Sequence, residues 1–351
     1  MIPSPPASGS PLASRIGLTE RVFAGPRMRR LFTAVEDGLA QVEARLATEL
    51  RVTDALADAT SRYLYEAGGK RVRPMLTILT AQLGQGVTPH VVAGASALEM
   101  THLGSLYHDD VMDASDVRRG VPSAHVVWGN NVAILAGDLL FSRASQLMAQ
   151  IGERAIRLQA DTFERLVLGQ LHETVGPAAQ DEPLAHYLSV LSDKTASLIA
   201  TSARYGAMFA GVAPEHVETV ARYGEKVGVA FQLADDVIDL APDGQTGKTP
   251  GTDLRERVPT MPVLLLRARA GAPDASEGDV ALVALLDSDL SDDAALETAV
   301  AALRAHVVVD ETRERAAALA LEAIEEIATL PDGPVKDSLA AFATALVDRA
   351  R

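Results

Sequence analysis

The sequence predicts an all-α protein. From about residue 27 onward, apolar residues recur at the three- and four-residue spacing of helices. Short Gly, Pro and Asp segments separate these stretches, and the alternation of apolar and polar residues that is typical of strands is nearly absent. Breaks between helices are predicted at residues 84–89, 119–122, 176–177, 211–214, 242–244 and 330–334. None of them resembles a domain linker.

The chain is expected to form one large domain behind a tail. Residues 1–25 are rich in Pro, Ser, Gly and Ala and lack the apolar core of a signal peptide, so we expect them to be disordered. Residues 26–351 then form a single domain, since 351 residues with 48% hydrophobic content are enough to bury a large core. Within it, residues 271–293 are the most loop-like and are expected to form a surface excursion.

Composition excludes several classes of function. With 47 acidic and 32 basic residues the net charge is −15, which argues against nucleic acid as a partner. The absence of cysteine excludes disulfides and thiolate chemistry and fits a cytoplasmic protein. No uninterrupted apolar run approaches the roughly 18 to 20 residues of a spanning helix, so we expect no membrane span.

Two acidic clusters of the same form indicate the chemistry. Asp109 and Asp113 delimit the first, DDVMD, and Asp235 and Asp239 delimit the second, DDVID. On a helix, residues four apart share a face, so each cluster presents a pair of carboxylates. Crowded carboxylates favour hard divalent cations, whose coordination is readily completed by phosphate oxygens. The clusters therefore predict a Mg²⁺-bridged diphosphate site.

Basic residues near the first cluster strengthen this interpretation. The segment GGKRVRP, residues 68–74, places three cations behind two glycines. Arg118 and Arg119 follow Asp113 by five and six positions. Arginine offers a planar fork that matches phosphate oxygens, and lysine offers a compact charge. A solvated basic turn is the alternative explanation of GGKRVRP.

These motifs together resemble the trans-isoprenyl diphosphate synthases of the polyprenyl synthetase family. The resemblance is carried by GGKRVRP, HDDVMDASDVRRG, Lys194-Thr195-Ala196 and FQLADDVIDLAPDGQTGK, in the family's order, and it extends from about residue 30 to 351. It implies a bundle of mostly antiparallel helices around a deep central cavity. It also implies condensation of an allylic diphosphate with isopentenyl diphosphate in a Mg²⁺-dependent reaction. Homodimers are usual in the family and are expected here.

The resemblance also implies roles for individual residues. Asp109 and Asp113, supported by Asp110, are expected to hold two Mg²⁺ ions, and Asp235 a third. The implied metal-binding residues are Asp109, Asp110, Asp113, Asp235 and Asp239. The implied catalytic residues are Asp109, Asp113, Asp235, Lys194 and Lys248. The implied substrate-binding residues are Lys70, Arg73, His102 and Arg119 for isopentenyl diphosphate, Arg118 for the allylic diphosphate, and Thr195 and Gln232 beside the reacting carbon.

Product length is predicted from the residues just before the first acidic cluster, because on a helix these residues would line the channel into which the growing prenyl chain descends. Gly104 and Ser105, the fifth and fourth positions before Asp109, are small, whereas short-chain members carry bulky aromatics near these positions. We therefore expect a long-chain polyprenyl product of the kind used for quinone side chains. Peripheral membrane contact would then aid product release.

Three alternatives remain open from the sequence. In the first, a large side chain from another helix closes the channel, and the product is the shorter geranylgeranyl or farnesyl diphosphate. A class I terpene cyclase has a different second metal motif and no isopentenyl diphosphate pocket. A non-catalytic subunit of a heteromeric synthase would have lost its acidic motifs, whereas both motifs are intact here.

Overall fold

The computed structural model describes residues 25–241 and 250–348. The predicted tail before Gly25, the predicted break at residues 242–244, and Lys248 lie outside the described residues. Within them the chain is helical apart from connecting segments and one short hairpin. The all-α prediction is confirmed.

The helices follow one another through the described residues with short connections. In chain order they are α1 (Pro26–Glu49), α2 (Ala55–Glu66), α3 (Val72–Ala81), α4 (Pro89–Met112), α5 (Ala124–Trp128), α6 (Asn130–Ile151), α7 (Glu153–Val175), α8 (Pro183–Leu191), α9 (Ser197–Phe209), α10 (Pro214–Asp239), α11 (Thr252–Arg255), α12 (Met261–Ala270), α13 (Glu277–Leu286), α14 (Asp293–Arg304), α15 (Val307–Glu326) and α16 (Pro334–Asp348). A π-helical turn spans Ser192–Ala196, and a 3-10 turn spans Ile327–Thr329. Strands β1 (Val117–Arg118) and β2 (Val121–Pro122) form an antiparallel hairpin.

The described residues divide into two compact units. Unit 1 comprises the described residues up to Glu164, Leu198–Gly224 and Thr329–Leu339. Unit 2 comprises Arg165–Ser197, the described part of Glu225–Ala328, and the described residues from Ala340 onward.

In unit 1, helix α4 is the element around which the others pack. It contacts α1, α3 and α6. Thr88 caps its first turn by accepting a hydrogen bond from the Val91 N–H, and Pro89 occupies the first helical position, where no N–H is needed. Near its other end, Tyr107 is fully buried and its hydroxyl donates to the Thr60 carbonyl of α2. This contact with α2 fixes the orientation of α4 close to its acidic C-terminal end.

In unit 2, helix α12 contacts α8, α13 and α15. Its side chains Met261, Leu265 and Leu266 are buried and supply apolar surface to these contacts. The helix begins at Met261, whose backbone N–H donates to the side chain of Asp236. This contact fixes the position of the first turn of α12.

The interpretation of residues 271–293 as a surface loop is partly wrong, because its apolar centre forms helix α13. Ser276 caps α13 by accepting from the Asp279 N–H. Leu282 and Leu286, four positions apart, are buried. The acidic and glycine-rich flanks concealed a cap followed by a short helix. The described breaks at 84–89, 119–122, 176–177, 211–214 and 330–334 all fall between helices, as predicted.

Helix α6 combines length with apolar character. Among the described residues it is the one helix long and apolar enough to cross a membrane by length and composition alone. No span was predicted here because Asp138 and Arg143 interrupt the apolar run. Packed helices of globular proteins have the same composition, so the absence of a span stays a prediction.

A close approach between α3 and α9 depends on Gly206. The Thr80 hydroxyl donates to the Ala203 carbonyl at 3.0 Å. A Cβ at Gly206 would overlap the Thr77 carbonyl and the Thr80 hydroxyl. Gly206→Ala is therefore expected to destabilise the protein by about 1–3 kcal/mol, measured as a lower thermal unfolding midpoint.

Gly278→Ala is the matched control for that substitution. Gly278 lies in α13, and a Cβ there would meet no atom closer than the Ser276 Oγ at 3.6 Å. Because alanine is the better helix former, this variant should be neutral or slightly stabilising. Equal losses in the two variants would contradict the close approach at Gly206.

Candidate active site

The first acidic cluster lies at the C-terminal end of α4. The Asp113 N–H donates to the Asp109 carbonyl at 2.8 Å, so these residues lie one turn apart on the same face. The Asp109 side chain is half-buried and that of Asp113 is exposed. The negative end of the helix dipole disfavours carboxylates at this position. A bound cation relieves both the dipole and the mutual repulsion, so the pair fits a divalent metal.

Asp110 points the other way, into unit 1. It is buried, and its Oδ1 accepts from the Arg118 Nε at 2.6 Å. Its Oδ2 is buried without a hydrogen-bond partner. Burial raises the pKa of Asp110, and Arg118 opposes that rise. The contact indicates that Asp110 holds the start of the β1–β2 hairpin and thereby places Arg118 near the acidic pair.

The GGKRVRP segment turns sharply between α2 and α3. Arg71 is the N-cap of α3 and adopts a left-handed conformation with φ 53°. Its side chain is buried, where Nε donates to Glu43 at 2.7 Å and Nη1 donates to Glu99 at 3.1 Å. The buried Arg71 charge is thus paired within the protein. Arg71 is structural.

Arg119 is held against this turn by backbone carbonyls. Its Nη1 donates to the Leu64 carbonyl at 2.8 Å and to the Gly68 carbonyl. A Cβ at Gly69, whose φ is 149°, would lie 2.9 Å from the Arg71 Nη1 and 3.1 Å from the Arg119 guanidinium carbon. Glycine at this position therefore lets two guanidinium groups lie against the backbone of the turn.

Arg73 and His102 belong to the same cluster. The Arg73 Nε is buried and has no hydrogen-bond partner. Burial lowers the pKa of Arg73 to about 10, with Glu99 opposing and Arg119 adding to the shift. Burial, followed by Arg73 and Arg119, lowers the pKa of His102 well below its usual value, so His102 is neutral at pH 7. A half-buried guanidinium whose buried Nε lacks a partner and whose neighbours are positive is typical of an anion site.

Lys70 completes this set. It is exposed, on the turn that also carries Gly69 and Arg71. We name Lys70, Arg73, His102 and Arg119 the cationic pocket. The buried carboxylate Glu99, whose charge acts on both Arg73 and Arg119, is already bonded to Arg71. Unit 1 thus brings together all four residues predicted to bind isopentenyl diphosphate.

The second acidic cluster ends helix α10 in unit 2. Its middle residue, Asp236, is buried and accepts from the Tyr187 hydroxyl and, at 2.9 Å, from the Met261 N–H that begins α12. Burial raises the pKa of Asp236 to about 7. Asp236 is therefore the acidic side chain that fixes the start of α12, and it is turned away from the accessible face of α10.

That accessible face carries the predicted residues. Gln232, Asp235 and Asp239 are half-buried and recur at the spacing of one helix face. The Asp239 Oδ2 accepts from the Asp253 N–H at 3.3 Å, and its carbonyl accepts from the Gly251 N–H at 2.8 Å. Asp239 thereby anchors the chain that returns after residues 242–249.

Lys194 and Thr195 lie in the π turn of unit 2. Both side chains are half-buried. The Lys194 Nζ forms an ion pair with Glu173 of α7. Glu173 thus makes a polar contact with the turn.

Binding of Mg²⁺ by the acidic pair needs ligands in addition to the two carboxylates. Within residues 25–241 and 250–348, no group of three His, Asp or Glu side chains is arranged to hold a metal ion. Mg²⁺ is typically held by one or two carboxylates plus water and substrate phosphates. The Asp109 and Asp113 pair fits that mode, in which the diphosphate brings the remaining oxygens.

Gly104 does not face open space, contrary to the channel expectation. A Cβ there would lie 2.9 Å from a ring carbon of Phe141 and 3.1 Å from the Gly137 carbonyl, both on α6. Ser105 is half-buried, and its hydroxyl donates to the His102 carbonyl at 2.9 Å. Of the two small residues on which the product-length prediction rests, Ser105 is the accessible one.

Two important residues were missed from the sequence. Arg71 was not distinguished from its basic neighbours. It is the N-cap of α3, so no helical periodicity in the preceding sequence indicates that its side chain points inward. Glu99 is the one acidic residue in the run SALEMTHL, residues 96–103. A lone acid on a buried helix must be paired, so Glu99 was a usable signal for a buried cation.

The fold and the motifs can now be compared with known proteins. The polyprenyl synthetase family model matches residues 54–303. The nonaprenyl diphosphate synthase of Mycobacterium tuberculosis is 45% identical over 336 residues, which cover 95% of this chain and 96% of that protein. The dimethylallyltranstransferase of the same organism is 39% identical, covering 88% and 93%.

Solved structures agree. A decaprenyl diphosphate synthase from Rhodobacter capsulatus has a TM-score of 0.81 and 33% identity, covering 92% of this chain and 99% of that one. A geranylgeranyl pyrophosphate synthase from Corynebacterium glutamicum, solved with calcium and isoprenyl diphosphate, has a TM-score of 0.82 and 38% identity, covering 93% and 99%. The fold is the all-α fold of the isoprenyl diphosphate synthases. The chain belongs to the polyprenyl synthetase family.

Proposed function

We propose that this protein is a trans-prenyltransferase that condenses an allylic diphosphate with isopentenyl diphosphate and makes a long-chain polyprenyl diphosphate. The observation that carries the proposal is the cationic pocket, with its buried and unpartnered Arg73 Nε, on the same unit as the Asp109 and Asp113 pair. A terpene cyclase has a second metal motif of a different kind and needs no pocket for a second diphosphate. A pocket for a second, metal-free diphosphate favours condensation.

The cationic pocket binds isopentenyl diphosphate in this proposal. Arg73 and Arg119 donate forked hydrogen bonds to diphosphate oxygens, and Lys70 adds charge from the exposed side. His102 is neutral, so it donates one N–H without adding to the repulsion among the cations. Because Arg119 is already fixed by two carbonyls, little side-chain entropy is lost on binding.

The allylic diphosphate is bound by the acidic and basic residues outside that pocket. When bound, Mg²⁺ neutralises diphosphate charge, and three ions per site are proposed. In unit 1, Asp109 and Asp113 are the proposed Mg²⁺ ligands, and in unit 2 the proposed ligand is Asp235, supported by Asp239. As the family resemblance implies, Arg118, Lys194 and Lys248 are the residues proposed to donate to a leaving diphosphate as negative charge develops on it. Thr195 and Gln232 direct oxygen dipoles toward the allylic carbon.

Bond changes in this scheme need no general-base side chain. The allylic carbon–oxygen bond breaks, and its electron pair leaves with the diphosphate. The double bond of isopentenyl diphosphate then attacks the cationic carbon, and the proton that is lost goes to the departing diphosphate. The protein contributes by binding, orienting and stabilising charge.

A long-chain product is favoured by Ser105. Its small side chain is accessible on the same face of α4 as Asp109, four positions later, so a growing chain can pass it. The relatives are named for both lengths, nonaprenyl and decaprenyl on one side and geranylgeranyl on the other. The shorter product is the alternative.

Ser105→Phe is expected to shorten the product, because the ring fills the space beside the acidic pair. Chromatographic sizing of the product measures the effect. Ser105→Ala should leave the length unchanged, since it removes no more than a hydroxyl. An unchanged length in Ser105→Phe contradicts the channel path. Gly104→Phe is not informative, because it collides with Phe141.

Turnover by the isolated protein tests the proposed function. The pure protein is incubated with farnesyl diphosphate, labelled isopentenyl diphosphate and Mg²⁺, and labelled product is extracted and sized. Chain elongation supports the proposal. Release of cyclised hydrocarbon would support a cyclase instead. No turnover without a second polypeptide would support a subunit role, which is relevant because one relative is named component 2 of a heptaprenyl diphosphate synthase.

We propose that the protein is cytoplasmic and that it forms a homodimer. Leu135 is 65% exposed and Ile134 39% exposed on α6, and burying them against a second copy removes apolar surface from water. Release of a long prenyl product at a bilayer surface requires peripheral contact only.

A further inference from the structure

We propose that Arg165 is a positioning residue that holds the π turn Ser192–Ala196 in the geometry that presents Lys194 to the allylic diphosphate. The inference rests on the proposed function for the role of Lys194. The geometry of the turn and of its contacts stands independently of it.

The turn is a defined irregularity with local causes. The Ser197 N–H donates to the Ser192 carbonyl, five residues back, in place of the four of an α-helix. The Ser197 hydroxyl donates at 2.5 Å to the Asp193 carbonyl. Single π turns are rare and occur frequently at functional sites. Since an extra residue in the turn rotates the residues before it relative to those after it, the direction of Lys194 depends on the turn being kept.

Arg165 of α7 connects the turn to α10. Its Nε donates to Asp193 at 2.8 Å, and its Nη2 donates to the Ser192 hydroxyl at 3.0 Å. The same guanidinium binds both oxygens of Glu225, at 2.6 and 3.2 Å. The Ser192 hydroxyl also donates to Glu225 at 2.5 Å. One planar fork thus joins the first two residues of the turn to a neighbouring helix.

Two glycines give the turn its room. A Cβ at Gly169 on α7 would lie 2.5 Å from the Lys194 nitrogen. A Cβ at Gly228 on α10 would lie 2.5 Å from the Ala196 Cα. The turn therefore fits closely between α7 and α10. Packing sets its position, and the Arg165 network sets its hydrogen bonding.

Neither Arg165 nor Glu225 is proposed to touch substrate. Glu225 is bonded to Arg165 and Ser192, and Arg165 donates to the carboxylates of Asp193 and Glu225 and to the Ser192 hydroxyl. Lysine cannot replace Arg165, because an ammonium has no planar fork to bridge Asp193 and Glu225. Arg165 is proposed to act on substrate binding only through Lys194.

Arg165→Met tests the proposal through two readouts. Amide hydrogen exchange of residues 192–197 should become about 10-fold faster, since the charged contacts that close the turn are lost. The KM for the allylic diphosphate should rise about 10-fold with the KM for isopentenyl diphosphate unchanged. Arg157→Met is the control, because Arg157 also lies on α7 but pairs only with Glu153 at an exposed position. Asp193→Asn, which keeps the side-chain shape, should give the same pattern at smaller amplitude.

A double-mutant cycle separates positioning from general destabilisation. If Arg165 acts through Lys194, Arg165→Met should have no further effect on the allylic KM in the Lys194→Ala background. Additive effects, or equal rises in both KM values, overturn the proposal. Unchanged exchange at residues 192–197 also overturns it. If the wild-type protein proves inactive, the proposed function fails while the exchange result still decides the role of Arg165 in the turn, and Mg²⁺-pyrophosphate affinity replaces KM in the cycle.

Discussion

Asp109→Asn is expected to lower kcat/KM about 1000-fold or more, a loss of about 4 kcal/mol of transition-state stabilisation. The substitution keeps the side-chain shape and removes the charge that the proposed Mg²⁺ ions need, so the leaving diphosphate develops its charge without compensation. Steady-state kinetics with saturating isopentenyl diphosphate measure the loss. Thermal stability should stay the same or rise, because one carboxylate is removed from the negative end of α4.

Asp116→Asn is the matched control. Asp116 is exposed and lies in the connection that follows Asp113. Its substitution should change kcat/KM less than about two-fold, within the usual range for exposed positions. A comparable loss in both variants would mean that the effect is one of total charge near the site.

Arg73→Met is expected to raise the KM for isopentenyl diphosphate by about 10- to 150-fold and at the same time to stabilise the ligand-free protein. Hydrogen bonds to charged groups are worth about 1.5–3 kcal/mol, which sets the range of the binding loss. The stability gain follows from removing a half-buried guanidinium whose Nε is buried and unsatisfied, and should be about 1 kcal/mol. Kinetics and the thermal unfolding midpoint measure the two effects.

The expected gain in stability of the Arg73→Met variant agrees with the direction in which the pKa of Arg73 is shifted. Burial lowers this pKa to about 10 from the ordinary 12.5. At neutral pH both folded and unfolded forms carry the proton, so the cost of burying the charge is fully present. It is relieved only as the pH rises through 10. Replacing Arg73 with a neutral side chain removes this cost at every pH below that value.

Arg71→Met is the contrasting variant in the same turn. Arg71 is paired with Glu99, which is itself buried, so the substitution leaves an uncompensated carboxylate and should destabilise the protein by about 3–5 kcal/mol. Opposite changes in stability for Arg71→Met and Arg73→Met are the expected result. Destabilisation in both would contradict the distinction between a structural and a ligand-binding cation.

The helical architecture could be predicted because its causes are local. Periodic apolar residues, Thr88 before Pro89, and proline or glycine at the breaks act over a few residues. The acidic pair could be predicted for the same reason, since Asp109 and Asp113 share a face on any helix. These features are independent of which helices pack together.

What could not be predicted depends on long-range contacts. Gly104 was interpreted as channel lining because one helix does not reveal that Phe141 of another covers it. Asp236 was not seen to bind the start of α12, since Met261 is 25 positions away. The π turn is set by Arg165, Glu225, Gly169 and Gly228, which lie on two other helices.

Helix α4 carries both His102 of the cationic pocket and Asp109 of the acidic pair. The two residues are seven positions apart, which is about two turns and about 10 Å of rise on one face. Under the proposed roles of these two residues, the spacing between the two diphosphate sites within unit 1 depends on a helical segment of fixed length. Inserting one residue between these positions would rotate the acidic pair by about 100° relative to His102. Under the same proposal, this segment should tolerate substitution far better than insertion or deletion.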